Sequence, residues 1–556
     1  MKFSLRTKLI LAVFSVFLVK SAISFFMQGP FIFSDEPCVV QKGIYLIEHM
    51  QLETCQNILQ VDAGDPHPLY AMLVGLVYFF VKGAYGYHIV LLVNALLVAT
   101  LVFPLFGIFR RFIGREGLSV LFAVVTVFLP QITAFDATLM TETLFIVINV
   151  WFTYAYLRSL DSDVPVKKRG KFKVLAIIFA LLAALVRPFG FILFIALTIN
   201  EFFTSDDRRS IAIVYIPLSI VMVGLTMFKL LPGIVPQLSA QLEGFKATPN
   251  PGLIVSVVKN QFNSFLVATC IAPILVVLMY GKKNDILLFT KMRLFFLSFI
   301  VMNFIIGVQH MLGGDGPTTD LLTRYIGMSL VYIVMLTFVF LTKYQKEKLD
   351  IITCGGIILA VTSLAFASYQ HIKQTLALDI AIFYDAAKSG LSNSIPLRPE
   401  LLIPFVVVCI ALIVLFLVRK NGALRTALIA VFLLQTIFVV KQGIDMSRMP
   451  APVLEYFHNT SAKVLFIEAK PENPTNSISF DYWKMLALSP NRPEFRFLLG
   501  VQDPSQPLEL PKDEIARLQQ EFTHIVSTLN LNLPKVATLD AKGSALRAQK
   551  EYIYAL

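Results

Sequence analysis

Phe31-Ile32-Phe33-Ser34-Asp35-Glu36-Pro37-Cys38 follows directly on an apolar run at about residues 8–27, and this junction decides the fold. The run has the length of a helix crossing the hydrocarbon core. Lys2, Arg6 and Lys8 stand at its start and place the N-terminus inside. It resembles a signal peptide, but Lys20 interrupts it and no clean small-residue cleavage site follows, so it reads as a retained first span. Asp35 and Glu36 then stand at a lipid boundary, where a carboxylate loses solvation and needs a reason to be present.

Working outward, the same alternation of apolar runs and short basic loops continues through the first four-fifths of the 556 residues. Hydrophobic residues make up 56% and charged residues 15%, and the mean hydropathy is +0.72. Spans are expected at about 85–109, 118–134, 139–157, 210–231, 262–280, 293–309, 326–342, 350–368 and 400–418, with a last one ending near Val440. The run 174–203 breaks at Arg187-Pro188, because proline cannot continue the hydrogen-bond ladder. It reads as two short helices, which makes about thirteen spans in all. Leu69–Val81 is apolar but too short to span, and reads as re-entrant or interfacial. Val39–Leu52 reads as a helix lying along the membrane surface.

Arg110-Arg111, the cluster Lys167–Lys173, Lys282-Lys283 and Arg419-Lys420 mark inner loops. The net charge of +12 is thereby a topology signal and gives no reason to expect nucleic acid. The long loops 28–68, 232–261, 310–324 and 369–399 then all fall outside. Residues 1–444 form the expected transmembrane domain. Residues 445–556 are more charged and proline-punctuated, and read as a small extracytoplasmic α/β domain. Its expected strands are Ala462–Ile467 and His524–Leu529, and its helix is Asp513–Phe522. The fold class is mainly α, with the C-terminus outside.

Polar residues gather on the outer side. Two roles are open to Asp35 and Glu36: a base at the membrane edge, or acidic residues at the start of a surface helix. Asp65-Pro66-His67-Pro68-Leu69-Tyr70 is a second outer cluster, in which His67 can donate to a phosphate or the whole can be a polar turn. Glu142 opens an expected span, where an acid usually faces an interior site or a basic partner. Arg324, followed by Tyr325, stands where an outer loop re-enters the bilayer, suited to phosphate or to snorkelling. His310 and Asp315 share that loop. Lys20 can snorkel, and Arg187 can pair at the helix break. Cys38 and Cys55 share one outer loop and are either bonded or free thiols. Cys270, Cys354 and Cys409 lie in apolar runs as small packing residues. No phosphate-cradling loop, dinucleotide fingerprint or metalloprotease motif is present.

The acidic pair after the first span, Asp65-x-His67-Pro68-Leu69, Met140-Thr141-Glu142-Thr143-Leu144-Phe145, Arg187-Pro188-Phe189-Gly190 and Arg324-Tyr325 occur in an order that resembles the GT-C membrane glycosyltransferases. Within them the chain is similar to the protein O-mannosyltransferases and the lipid A aminoarabinose transferase. The resemblance implies inverting transfer of a sugar from a polyprenyl-phosphate donor on the outer face. It implies Asp35 as base, Glu36 as acceptor-binding or orienting group, and Asp65, His67, Arg324 and Tyr325 beside the donor phosphate. Glu142 and His310 would bind the acceptor or support the site. A divalent metal is compatible with the outer acids, though no spacing demands one. The single proline after His67 departs from the mannosyltransferases, and the histidine itself from the aminoarabinose transferases, so the acceptor does not carry over. It remains an envelope glycan, lipid or protein, and the membrane a bacterial inner one. The rival readings are a lipid-linked glycan flippase or transporter, weakened because no second helix break is expected, and a glycan polymerase or ligase.

Overall fold

The computed structural model describes residues 4–29, 35–51, 68–187, 190–204, 295–301, 323–343, 402–418, 420–448, 452–457, 462–469, 494–498, 510–527, 529–542 and 548–556, with isolated positions between them. Apart from those isolated positions, the expected spans at 210–231, 262–280 and 350–368 and the loops 232–261, 310–324 (to position 322) and 369–399 lie outside these residues.

Helix α1, Leu5–Phe26, starts at Ser4, whose hydroxyl accepts the Thr7 amide at 3.1 Å. Val16, Lys20 and Ser24 recur every four residues and form one buried stripe, while Ile10, Phe14, Leu18 and Phe25 are exposed. Lys20 and Ser24 thus face the protein while large apolar side chains face outward, the reverse of a water-soluble helix and the arrangement a lipid solvent favours.

Helices α2 (Asp35–His49) and α3 (Pro68–Phe80) pack against each other. A β-carbon on Gly43 would strike the Ala71 carbonyl and the Gly75 backbone, and one on Gly75 would strike Gly43. Two glycines at one crossing let the backbones touch. Helices α4 (Gly83–Ala99) and α5 (Val102–Ile113) together form one long apolar rod. Helix α6 (Glu116–Val127) bends by 53° into the short, fully buried α7 (Pro130–Asp136). Proline at the start of α7 suits a first helical position. Helix α8 (Thr141–Ser159) is followed by α9 (Val166–Val186) and α10 (Phe191–Thr204), broken at Arg187 as expected. The basic cluster 167–173 lies inside α9 rather than in a loop, because lysine and arginine are good helix formers.

Later helices are α11 (Thr323–Lys343), α12 (Leu402–Leu417) and α13 (Asn421–Ser447). Helix α13 runs past the expected end near Val440, so the 444/445 boundary falls in its last turn. Among the described residues, Leu5–Phe26, Gly83–Ile113 and Asn421–Asp445 are long and apolar enough to cross a membrane, and the bent pair α6–α7 adds a fourth. The chain is an integral membrane protein whose core is one continuous apolar cluster shared by these helices.

After the short α14 (Pro452–Phe457), five strands form a sheet: β1 (Val464–Ala469), β2 (Glu494–Leu498), β3 (His524–Ser527), β4 (Lys535–Lys542) and β5 (Ala548–Ala555). Their order is β2-β1-β3-β5-β4, parallel across the first three and antiparallel across the last three. Helix α15 (Lys512–Glu521) brings Leu518, with Phe522 just beyond it, onto Leu465, Ile467 and Ile525, which makes a two-layer α/β unit with its own core.

Candidate active site

Asp35 is the first residue of α2, a position where the helix dipole favours an acid. Glu36 follows, with no exposed surface. Its Oε2 accepts two hydrogen bonds, from the Tyr87 hydroxyl at 3.0 Å and the Leu139 amide at 2.9 Å. Two donors on one oxygen hold the carboxylate in a fixed orientation. Cys38, in the same first turn, is disulfide-bonded to Cys55, with 5.9 Å between their α-carbons. The bond ties α2 to the segment leading to Asp65 and His67, which lie outside the described residues, as does His310.

Tyr87 and Asn94 are two helical turns apart on α4 and so share a face. The Asn94 amide nitrogen donates to the Thr138 carbonyl at 3.0 Å and lies 2.9 Å from the Tyr70 hydroxyl. Tyr70, on α3, donates in turn to Asn94 Oδ1 at 3.1 Å. Thr138 and Leu139 belong to the link between α7 and α8. That link therefore supplies one backbone contact to Glu36 and another to the Asn94–Tyr70 pair.

At the start of α8, Glu142 is paired with Arg187 at 2.5 Å and receives the Thr141 hydroxyl at 3.2 Å. Arg187 is extended at the end of α9, as a residue before proline should be. A β-carbon on Gly190 would meet the backbone of Ala183 and Ala184, so glycine lets the chain fold back after the break. Lys20 is also buried and does not snorkel. Its ammonium lies 2.7 Å from Asp136 and donates to Thr133 at 2.7 Å.

These groups occupy one end of the helices. Glu142 and Arg158 lie near opposite ends of α8, and at the Arg158 end Asp161 bridges Arg111 (2.6 Å) and Arg158 (2.9 Å). Arg110 pairs with Glu116 there at 2.9 Å. The basic end and the carboxylate end are thus separate. Arg324 and Tyr325 stand in the first turn of α11. Among the described residues no group of three His, Cys, Asp or Glu side chains is placed to hold a metal ion.

No protein-family profile matches the sequence, and no curated protein does. Solved structures match from end to end. ArnT from Cupriavidus metallidurans in the apo state aligns with a TM-score of 0.54 and 13% identity, over 99% of this chain and 98% of that one. The same protein bound to undecaprenyl phosphate aligns with a TM-score of 0.55, at the same identity and coverage. The chain has the GT-C fold.

At this identity the likeness carries architecture and not side chains. The GT-C fold agrees with the resemblance read from the short motifs. Of the sequence candidates, the structure draws Glu36 and Glu142 into the interior at the same end. It adds Tyr70, Tyr87, Asn94 and the Lys20–Asp136 pair. The signal for Asn94 was an amide in the middle of an apolar run. For Asp136 it was an acid between two apolar runs, for which a buried lysine is the natural partner.

Proposed function

We propose that the protein is a membrane glycosyltransferase that moves a sugar from a polyprenyl-phosphate donor to a cell-envelope acceptor. The observation that carries this reading is the end-to-end GT-C architecture around a buried carboxylate cluster. ArnT was solved with undecaprenyl phosphate bound, and a polyprenyl phosphate is the sugar carrier we take over for the donor. Transfer is inverting: Asp35 takes the acceptor proton as the acceptor oxygen attacks the anomeric carbon and the lipid phosphate leaves. Glu36, clamped by Tyr87 and Leu139, seats the first turn of α2 and so orients Asp35. Asp65, His67, Arg324 and Tyr325 hold the departing phosphate, a task for which a guanidinium is suited. Glu142, neutralised by Arg187, supports the acceptor side, together with His310. A divalent ion would be held by the outer acids and would supply charge to the leaving phosphate. The reaction takes place on the extracytoplasmic face of a bacterial inner membrane, with the N-terminus inside and the unit 445–556 outside over the site.

A second reading has one observation in its favour. Broken helices mark transporters, and the 53° bend between α6 and α7 is a second break besides Arg187, one that the sequence did not lead us to expect. One assay separates the readings. The protein is reconstituted in both orientations in vesicles carrying a radiolabelled polyprenyl-phosphate sugar in the outer leaflet alone, with envelope extract outside. Label appearing in extract with release of polyprenyl phosphate supports transfer. Label crossing the bilayer while still attached to its lipid supports translocation and overturns the proposal.

A further inference from the structure

Helix α7 is seven residues long and entirely buried, and it ends three residues before the amide that holds Glu36. A segment so short has little stability of its own. Something outside it must set its position. Lys20 does this from α1: its ammonium reaches Asp136 at the end of α7 and Thr133 one turn earlier, both at 2.7 Å. The ring of Phe128, at the bend before α7, lies 5.1 Å below the same ammonium. One cation thus touches the bend before the short helix, its middle residue and its last.

Beyond Asp136 the chain has little freedom. The Thr138 hydroxyl donates to the Phe135 carbonyl at 2.9 Å, and the Thr143 hydroxyl donates to the same oxygen at 2.7 Å. The turn 137–140 is therefore carried rigidly with α7, and the Leu139 amide with it. We infer that Lys20 and Asp136 are positioning residues for the active site: the pair sets the depth of α7, and α7 presents the Leu139 amide that orients Glu36. This inference rests on the proposed glycosyl transfer for its kinetic consequence, but the mechanical link from Lys20 to Leu139 stands apart from it.

The variants are Lys20→Met, which keeps the length of the side chain and removes its charge, and Asp136→Asn, which keeps both shape and a weaker contact. Lys20→Arg is the conservative control. Two measurements are made on the full-length protein in detergent or vesicles. The first is amide exchange by mass spectrometry on peptides covering 137–143, with α8 and α9 peptides as reference. Faster exchange confined to 137–143 in Lys20→Met or Asp136→Asn, with Lys20→Arg near wild type, supports the link. Unchanged exchange there overturns it, whether or not sugar transfer is observed. The second is steady-state transfer. A misplaced group remote from the reacting atoms costs up to about 100-fold, so kcat should fall by about 10- to 100-fold while KM for the lipid donor stays within about twofold, the pattern of an interaction made only in the transition state. A rise in KM with kcat intact overturns the positioning role. Absence of transfer in wild type would count against the proposed function, and the exchange measurement would still decide the inference. Should Lys20→Met fail to fold, with Cys38 and Cys55 unpaired, the milder Asp136→Asn decides by the same two readouts.

Discussion

The backbone amide of Leu139 lies 2.9 Å from Oε2 of Glu36, a contact that joins positions 103 residues apart. It locks the first turn of α2 to the link between α7 and α8. Because the carboxylate has no exposed surface, the donors around it have no access to water if it is removed. Glu36→Ala should therefore destabilise the protein by about 1–3 kcal/mol for each donor left unpaired. Glu36→Gln, whose carbonyl oxygen can still accept both bonds, should cost less. Tyr87→Phe removes one charge-assisted bond and should cost about 1.5–3 kcal/mol. Thermal melting in detergent by fluorescence-detected size exclusion orders the three, and equal melting of Glu36→Ala and Glu36→Gln would deny the clamp.

Glu142 and Arg187 form a buried ion pair across a helix break. Removing one partner leaves a charge in the interior, at about 3–5 kcal/mol. Arg187→Gln alone should be severely destabilised, and Glu142→Gln with Arg187→Gln together should be more stable than Arg187→Gln. The coupling from the complete mutant cycle tests this, and additive losses would mean that the two charges act separately.

The glycines predict opposite signs. Gly75→Ala pushes a methyl group into the backbone of Gly43 and should cost about 1–3 kcal/mol by overpacking. It should also reduce activity, because α2 must shift. Gly170, inside α9, has open space around a built β-carbon. Gly170→Ala should stabilise by about 0.5–1 kcal/mol through helix propensity. Melting temperatures of the two variants moving in the same direction would contradict the packing account.

Much of the fold could be read in the chain because membrane physics restricts the choices. The breaks at Arg187-Pro188 and before Leu69, the strands near Val464 and His524 and the helix near Asp513 follow from proline chemistry and hydrophobic period. Helix bounds were harder. Lysine and arginine serve a positive-inside loop and a helix start equally well, so the cluster 167–173 did not mark where α9 begins. The bend at Phe128-Leu129 was missed because 118–134 is predominantly apolar and of spanning length, and Pro130 at a helix start signals a break only once its neighbours are placed. Glu36 and Glu142 were legible as unusual acids. Their partners were not, since Tyr87 and the Leu139 amide are ordinary in sequence and become informative only when the distances are known. Snorkelling is open to Lys20 in the sequence because its partners, Thr133 and Asp136, stand more than a hundred residues away.

His524 opens β3 beside the ring of Phe457, whose centroid lies 5.1 Å from the imidazole. Partial burial lowers its pKa below the ordinary value of 6.5. The unfolded chain then binds the proton more tightly than the folded one. Stability from this group is fully present above pH 6.5 and is lost as pH falls through the lowered folded value. His524→Gln should flatten the acid side of the melting-temperature profile between pH 7.5 and pH 5, with the carboxyl contributions common to both proteins. A steeper fall in the variant than in wild type would reverse the sign and refute the assignment.

The central claim is that Asp35 activates the acceptor beside a lipid-linked sugar. Single-turnover transfer from a radiolabelled polyprenyl-phosphate sugar, compared between wild type and Asp35→Asn in the same vesicles, tests it most directly. The variant keeps the size of the side chain and removes the base. The account predicts a loss of at least about 100-fold in the chemical step, the scale of a positioned general base, with donor binding retained. Transfer by Asp35→Asn at the wild-type rate would contradict it.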